Sequence, residues 1–331
     1  MKRYLALVLA LVLMVGVFAA CGDSKGNEVD NEKQGGNVRI TAIAGPTGVG
    51  LVDLMQKSAD KETENTYTFN VVSDPTQAVA AITNGTADVA AVPTNLASTL
   101  YKKTGGKVQV LAVNTLGVLH ILEQGETIKN IQQLKGKTIY TDVKNKGANP
   151  EYILRYLLEK NNIDPDKDVT IEFAADLDAA VASGEAKIVL APEPKASTYL
   201  MQNKTLRRAL NVTEEWNKVS DEDCALMMGC VIARTDYIHA NPDAIELFLE
   251  DYMASISVAK TDVEKAATLC ETYKIIPKAA VARQAIPNCG LVYVSGNLMK
   301  TRLSAYLKVL FDYNPAAVGG ALPKDDFYYA G

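Results

Sequence analysis

The sequence predicts an α/β protein of two similar lobes, each built on a doubly wound sheet, joined by a two-strand hinge. Two observations carry that prediction. Two stretches about a hundred residues apart repeat one another, and each half of the chain runs strand, helix, strand, helix, strand, helix, strand. Alternation of this kind implies a mostly parallel sheet with helices on both faces. The length agrees: residues 37–331 are many for one core and comfortable for two.

The repeat sets Ala80–Tyr101 (AAITNGTADVAAVPTNLASTLY) against Ala179–Leu200 (AAVASGEAKIVLAPEPKASTYL), without a gap, at an offset of 99 residues. Gly85/Gly184, Ala87/Ala186, Pro93/Pro192, Ala97/Ala196, Ser98/Ser197 and Thr99/Thr198 are identical pairs. Each copy reads as helix end, glycine turn, apolar strand (Val89–Val92, Ile188–Ala191), proline loop and helix. At the same offset Gln109–Val113 falls opposite Arg208–Val212.

In chain order, Val38–Ala44 predicts a strand, followed by the glycine-rich loop Gly45–Gly50 and a helix through Lys57. Tyr67–Val72 is the next strand. In the second half Lys137–Thr141 is a strand. A polar loop and a helix over Pro150–Lys160 follow, with proline at a favoured first position; Val169–Phe173 is the strand after it. Val118–Glu123 and Met227–Ala233 are expected to cross between the lobes, which makes a hinge able to close on a ligand. Beyond Asp236 the pattern is helical: Pro242 to about Ala259, a helix opened by Thr261-Asp262-x-x-Lys265, and one within Val294–Asp312. The boundaries that follow are a leader over 1–20, a tether over 21–36, lobe one over 37–123 and 226–331, and lobe two over 124–225.

The leader has a basic start (Met1-Lys2-Arg3) and an uncharged apolar run from Tyr4 to Phe18. The run is short for a membrane span and reads as an export signal. It ends in Phe18-Ala19-Ala20-Cys21-Gly22, where small residues before a cysteine resemble the bacterial lipobox. Cys21 is then the lipidation site; the alternative is an ordinary cleaved signal beside an incidental cysteine. The polar stretch from Gly22 to Gly36 suits a flexible tether, and two acyl chains give stable anchoring. The expected location is the extracytoplasmic face of the membrane.

The chain carries 34 basic and 39 acidic residues, a formal net charge of −5. That mildly acidic balance argues against nucleic acid as partner. Cys224, Cys230, Cys270 and Cys289 allow either disulfides, permitted in an exported chain, or buried thiols. No C-x-x-C or Cys/His cluster suggests a metal, and no cofactor is expected.

In open α/β sheets ligands sit beyond the carboxyl ends of the strands, where helix N-termini offer unpaired N–H groups to anionic or polar groups. Candidate ligand contacts there are Pro46, Thr47, Gly48, Ser73, Thr94, Asn95, Leu116, Gly117, Asn149 and Glu193. Each has a structural alternative: Thr47 and Thr94 can cap helices, Asn149 is a good N-cap before Pro150, and Glu193 can be a helix-start charge. Glu193 as a ligand contact would accept from an amine or ring N–H. Tyr140, Tyr152, Tyr199 and Trp216 are aromatic candidates for stacking or for ordinary packing. Lys144, Lys146 and Lys195 are the basic residues nearest these loops. The Gly45–Gly50 loop lacks the lysine and spacing of a phosphate-binding loop.

With Gly85-Thr86-Ala87-Asp88-Val89, Ile131-Gln132-Gln133-Leu134-Lys135-Gly136-Lys137, the helix Tyr152–Lys160, Ala240-Asn241-Pro242-Asp243-Ala244 and Leu322–Tyr329 in order, the chain resembles a family. It is the bacterial solute-binding proteins of the nitrate, sulfonate, taurine and thiamine-pyrimidine-precursor import group. The resemblance runs from about Val38 to Tyr329. It implies a type II periplasmic-binding-protein fold, a site between lobes, a small-molecule solute, an ABC permease in the membrane as partner, and a monomer. The solute it leaves open is a small polar organic molecule.

Two rivals stand beside this reading: a ligand-sensing lipoprotein signalling to a receptor, and an exported hydrolase. Ser58-x-x-Lys61 and Lys103-Thr104-Gly105 superficially match penicillin-interacting enzymes, but no Ser-Asp-Asn lies between them. There is no Gly-x-Ser-x-Gly, and His120, in an apolar strand, fits packing better than catalysis. No catalytic residue is expected.

Overall fold

The computed structural model describes residues 33–331. The leader, Cys21 and the tether up to residue 32 lie outside the described residues. The tether's end is bonded to the body: the Gln34 N–H donates to Asp243 Oδ2 at 3.2 Å, and that of Gly36 to Asn65 Oδ1 at 2.8 Å.

The first half runs β1 (Asn37–Ile43), α1 (Pro46–Val49), α2 (Val52–Ala59), β2 (Thr66–Val72), α3 (Pro75–Thr83), β3 (Val89–Pro93), α4 (Thr94–Thr104) and β4 (Val108–Thr115). The second runs β5 (Leu119–Gln124), β6 (Thr138–Asp142), α5 (Asn149–Lys160), β7 (Thr170–Ala174), α6 (Leu177–Ala182), β8 (Ile188–Pro192), α7 (Lys195–Gln202), β9 (Leu206–Asn211) and α8 (Val212–Val219). The chain ends with β10 (Gly229–Arg234), α9 (Thr235–Ala240), α10 (Pro242–Thr261), α11 (Val263–Thr272), α12 (Ala279–Ala285), β11 (Leu291–Val294) and α13 (Gly296–Tyr313).

The strands form two sheets, ordered β11-β4-β10-β3-β1-β2 and β7-β6-β8-β5-β9. Matched by the repeat, β1, β2, β3 and β4 correspond to β6, β7, β8 and β9. Each sheet then shows one order, second-first-third-guest-fourth. The guest is antiparallel to both neighbours: β10, which follows the second sheet in the chain, lies between β3 and β4, and β5, which precedes the rest of its own sheet, lies between β8 and β9. The duplication read from the sequence is a duplication of topology.

Local chemistry repeats with it. Asp74 caps α3 by accepting from the Thr76 N–H at 2.8 Å, and Asp176 caps α6 by accepting from that of Ala179 at 2.9 Å. Gly85 and Gly184, the matched turn glycines, sit at φ 68° and 77°, a region a side chain disfavours. Central strands such as β3 (VAAVP) are buried on both faces, so they read as apolar runs without alternation. Asp88 opens β3 from a buried position. Burial works against its carboxylate, but hydrogen bonds from Arg39 (Nε 2.9 Å, Nη2 2.6 Å, backbone N 3.0 Å) outweigh that and hold its pKa below the usual value.

The expected crossings need correction. β5 pairs entirely within the second sheet, so the chain leaves the first sheet after Thr115 and not after Glu123. Likewise β10 belongs wholly to the first sheet, so the true crossings are residues 116–118 and the stretch between Asn211 and Gly229. Of the two alternatives for the cysteines, the structure has the thiols: Cys224, Cys230, Cys270 and Cys289 are all free and buried.

Among the described residues no helix is long and apolar enough to cross a membrane.

Candidate functional site

β4 ends at Thr115 and β5 begins at Leu119, with three residues between them. The four steps from Thr115 to Leu119 span about 14 Å at most. Leu119 pairs with Pro192, the last residue of β8, and Gly229 pairs with both Pro93 and Thr115. The carboxyl ends of the parallel strands of both sheets therefore meet at this crossing and face one another. The ends of β3 and β8 thus both lie at this crossing, and the loops after them are the two walls of the candidate crevice.

The first lobe supplies neutral groups. The Asn114 amide donates to the Thr47 carbonyl at 3.1 Å and to the Tyr252 hydroxyl at 2.8 Å, and the Thr115 hydroxyl donates to Asn114 Oδ1 at 2.8 Å. Thr47 is half-buried; its own hydroxyl makes only a 3.5 Å contact with the Ile43 carbonyl. Pro46 is the first residue of α1, and Gly48 is buried beneath Ile275. Thr94 is fully buried and its hydroxyl donates to the Met227 carbonyl at 2.6 Å, so it ties down the returning crossing. Asn95 is half-buried at the crevice rim, its amide 3.5 Å from the Ala317 carbonyl. Ser73 is exposed at the end of β2, the edge strand farthest from the crossing; the structure does not bring it to the other candidates.

At the crossing Leu116 is half-buried and its N–H donates to the Gly290 carbonyl at 2.8 Å. Gly117 is needed for close approach. A Cβ there would collide with Thr213 Oγ1 and would lie 2.6 Å from Leu226 Cδ2.

The second lobe supplies charge. Glu193, just past β8, is buried; its Oε1 receives the Arg208 guanidinium and its Oε2 accepts from the Ser197 N–H at 3.2 Å. The Arg208 guanidinium also donates to Ser197 Oγ at 2.9 Å. His120 Nε2 lies 3.6 Å from Glu193 Oε1. Burial and the Arg208 charge push the His120 pKa down to about 4, against a smaller opposing pull from the Asn288 backbone, so the imidazole is neutral at pH 7. Burial pushes the Glu193 carboxyl up, with Arg208 and Ser197 pulling it back. Both Glu193 oxygens thus have a protein partner, Arg208 for Oε1 and the Ser197 N–H for Oε2.

The structural alternative for Asn149 was to cap the helix after it. The helix instead begins at Asn149, its N-cap is Ala148, and no side chain caps it. Asn149 is buried, and its Oδ1 has no hydrogen-bond partner among the described residues. An orphaned buried acceptor at the start of a helix is the clearest opening for a solute donor in this lobe. Tyr152, one turn on, donates to the Gly147 carbonyl at 2.9 Å and accepts from the Asn314 amide at 2.7 Å, joining the lobes at one rim. At the other rim Pro194 and Thr198 of α7 stand across from Ile276 and Val281.

The remaining candidates are structural. Trp216 is buried, stacks on Tyr156 at 4.4 Å and donates to the Cys224 carbonyl at 2.6 Å. Tyr199 is buried and donates to Asp178 at 2.6 Å, and Lys195 pairs with the same carboxylate. Tyr140 is half-buried, Lys144 is exposed, and Lys146 lies 5.7 Å from the Phe173 ring centre. The sequence reading missed Asn114, Thr115 and Arg208. The last had a signal: Arg208 is a charge within a strand segment, next to a second arginine.

Among known proteins, the family model described as the periplasmic substrate-binding protein of the phosphonate ABC transporter matches residues 51–236. No curated protein matches the chain in sequence at a significant level. Solved structures do match in fold. An ABC transporter protein from Parabacteroides distasonis is 19% identical with TM-score 0.73, over 88% of this chain and 98% of that one. The periplasmic aliphatic sulphonate binding protein of Escherichia coli is 17% identical with TM-score 0.67, over 88% and 90%. The alkanesulfonate-binding protein of Xanthomonas axonopodis bound to MOPS is 16% identical with TM-score 0.60, over 87% and 94%. The shared fold is the two-lobed periplasmic-binding fold that the resemblance implied.

Proposed function

Since the chain belongs to the family of periplasmic substrate-binding proteins of phosphonate ABC transporters, we propose that its own solute is a small polar organic molecule carrying an acidic group, held between the two lobes. The chain is an extracytoplasmic substrate-binding component of an ABC transporter for small solutes. The proposed contacts are Thr47, Asn95 and Leu116 from the first lobe and its crossing, and Asn149 from the second. Thr94, Gly117 and Glu193 position the crevice walls. The acidic group follows from the family and from the phosphonate, sulphonate and MOPS named for the proteins it resembles. It would be received by the hydroxyl and amide donors of the first lobe, while the unpartnered Asn149 Oδ1 accepts from a donor on the organic part.

The observation that supports this reading most is the meeting of both sets of strand ends across residues 116–118. Solute bridging the lobes favours the closed arrangement through differential affinity. The closed form docks on the permease, and opening releases solute unchanged; no bond in the solute is made or broken. Cys21 carries the lipid that keeps the monomeric body at the membrane surface. A thermal-shift screen of phosphonates, sulfonates, nitrate, pyrimidines and amino acids tests the reading. A solute at about 100 times its Kd stabilises by roughly 2.7 kcal/mol. Failure of every acidic compound, with stabilisation by a cation or a neutral amine, would remove the acidic-solute reading.

A further inference from the structure

The opposite end of the first lobe holds a second cavity, of about 700 Å³, that the crevice does not use. It lies where β3 and β4 begin and β10 ends, and Lys103, Thr104, Lys107, Arg234, Asp236 and His239 line it. Its charge is not balanced locally. Lys103 and Lys107 make no ion pair among the described residues. Arg234 contacts Asp88 at 3.2 Å, but Asp88 is already bound by Arg39; its other carboxylate, Asp236, is exposed and 3.5 Å away. Arg234 Nε is buried without a hydrogen-bond partner. Two exposed point-charge lysines beside a guanidinium whose Nε is unpartnered are a donor set that suits a tetrahedral oxyanion; the Thr104 hydroxyl is outside that set, because it donates to the Leu100 carbonyl at 2.8 Å.

The position adds a second argument. Tyr237, on α9 between Asp236 and His239, donates to the Asn37 carbonyl at 2.7 Å. The start of β1, where the N-terminal stretch joins the body, is therefore next to this cavity.

We propose that this cavity binds a phosphate-class anion, separately from the solute in the crevice. The volume exceeds what inorganic phosphate fills and has room for the organic part of an ester. Two sources share that chemistry, a free phosphate and an anionic lipid headgroup.

Isothermal titration of the full chain with inorganic phosphate and with water-soluble dihexanoyl phosphatidylglycerol, against dihexanoyl phosphatidylcholine as control, tests it. The same titrations are run on the double variant K103Q/K107Q; both lysines are exposed, so folding should be unaffected. The expected result is binding of at least one anionic probe, weakened roughly threefold to tenfold in the double variant. Phosphate binding assigns the free anion; binding of phosphatidylglycerol alone assigns the headgroup. No binding of either probe up to roughly 10 mM overturns the proposal. So does binding that survives the double variant unchanged, because it then belongs to the crevice.

Discussion

Thr94 and Glu193 occupy the same place in the two lobes, one residue past the proline that closes β3 and β8. Their backbones do the same work. The Thr94 N–H donates to the Met228 carbonyl at 3.1 Å and the Glu193 N–H to the Val118 carbonyl at 2.9 Å, so each pins the neighbouring crossing. Their side chains differ in kind. Thr94 makes one neutral hydrogen bond to the Met227 carbonyl, whereas Glu193 is a buried carboxylate held by Arg208 and Ser197. The next matched pair diverges too: Ser98 donates to the Val318 carbonyl at 2.7 Å, and Ser197 accepts from Arg208. Duplication preserved the scaffold and left the crevice chemistry free to differ, neutral on one wall and ionic on the other.

The largest effect should come from breaking the ionic wall. R208A leaves Glu193 buried without its cation and should lower unfolding free energy by about 3–5 kcal/mol in urea titrations. Replacing both Arg208 and Glu193 by methionine should recover most of that loss. If the double replacement costs as much as R208A, the unpaired charge is not the cause. Acid should act next. The unfolded imidazole takes a proton near pH 6.5, but His120 in the fold resists it down to about 4. Its contribution to stability is therefore complete above about pH 6.5 and is lost as pH falls toward 4, on the order of 3 kcal/mol. Glu193, whose carboxyl is pushed up, works in the opposite sense, so the difference between wild type and H120N isolates the imidazole. A wild-type curve parallel to that of H120N over this range would refute the assignment.

G117A tests the crossing shared by both walls and should cost about 1–3 kcal/mol through overpacking against Thr213 and Leu226. The smallest effect belongs to the neutral wall: T94V removes one hydroxyl bond and should cost about 1 kcal/mol. A T94V loss equal to that of R208A would erase the contrast between the walls.

The repeat in the sequence was enough to place β3, β8 and the helices after them, because glycine, proline and apolar runs record strand ends directly. It did not show which sheet β5 joins. LHILEQ is buried along all but its last residue, so no alternation marks a face or a partner. Short elements without periodicity, such as β11 and α12, gave no signal. At the site, loop positions were legible but side-chain commitments were not. Whether Thr94 and Glu193 face solute or protein depends on Met227 and Arg208, which are remote or on a different strand. Asn149 was found by its place before a proline, yet its value lies in the missing cap bond, which only the packing reveals.

The account rests on one solute touching both walls. Titration calorimetry with the stabilising solute on T47V and N149A, one substitution per lobe, tests this most directly. Each variant should weaken binding about fivefold or more, the equivalent of roughly 1 kcal/mol for one hydrogen bond. Affinity that falls in one variant and stays at the wild-type value in the other would place the solute on a single lobe and contradict capture between the two.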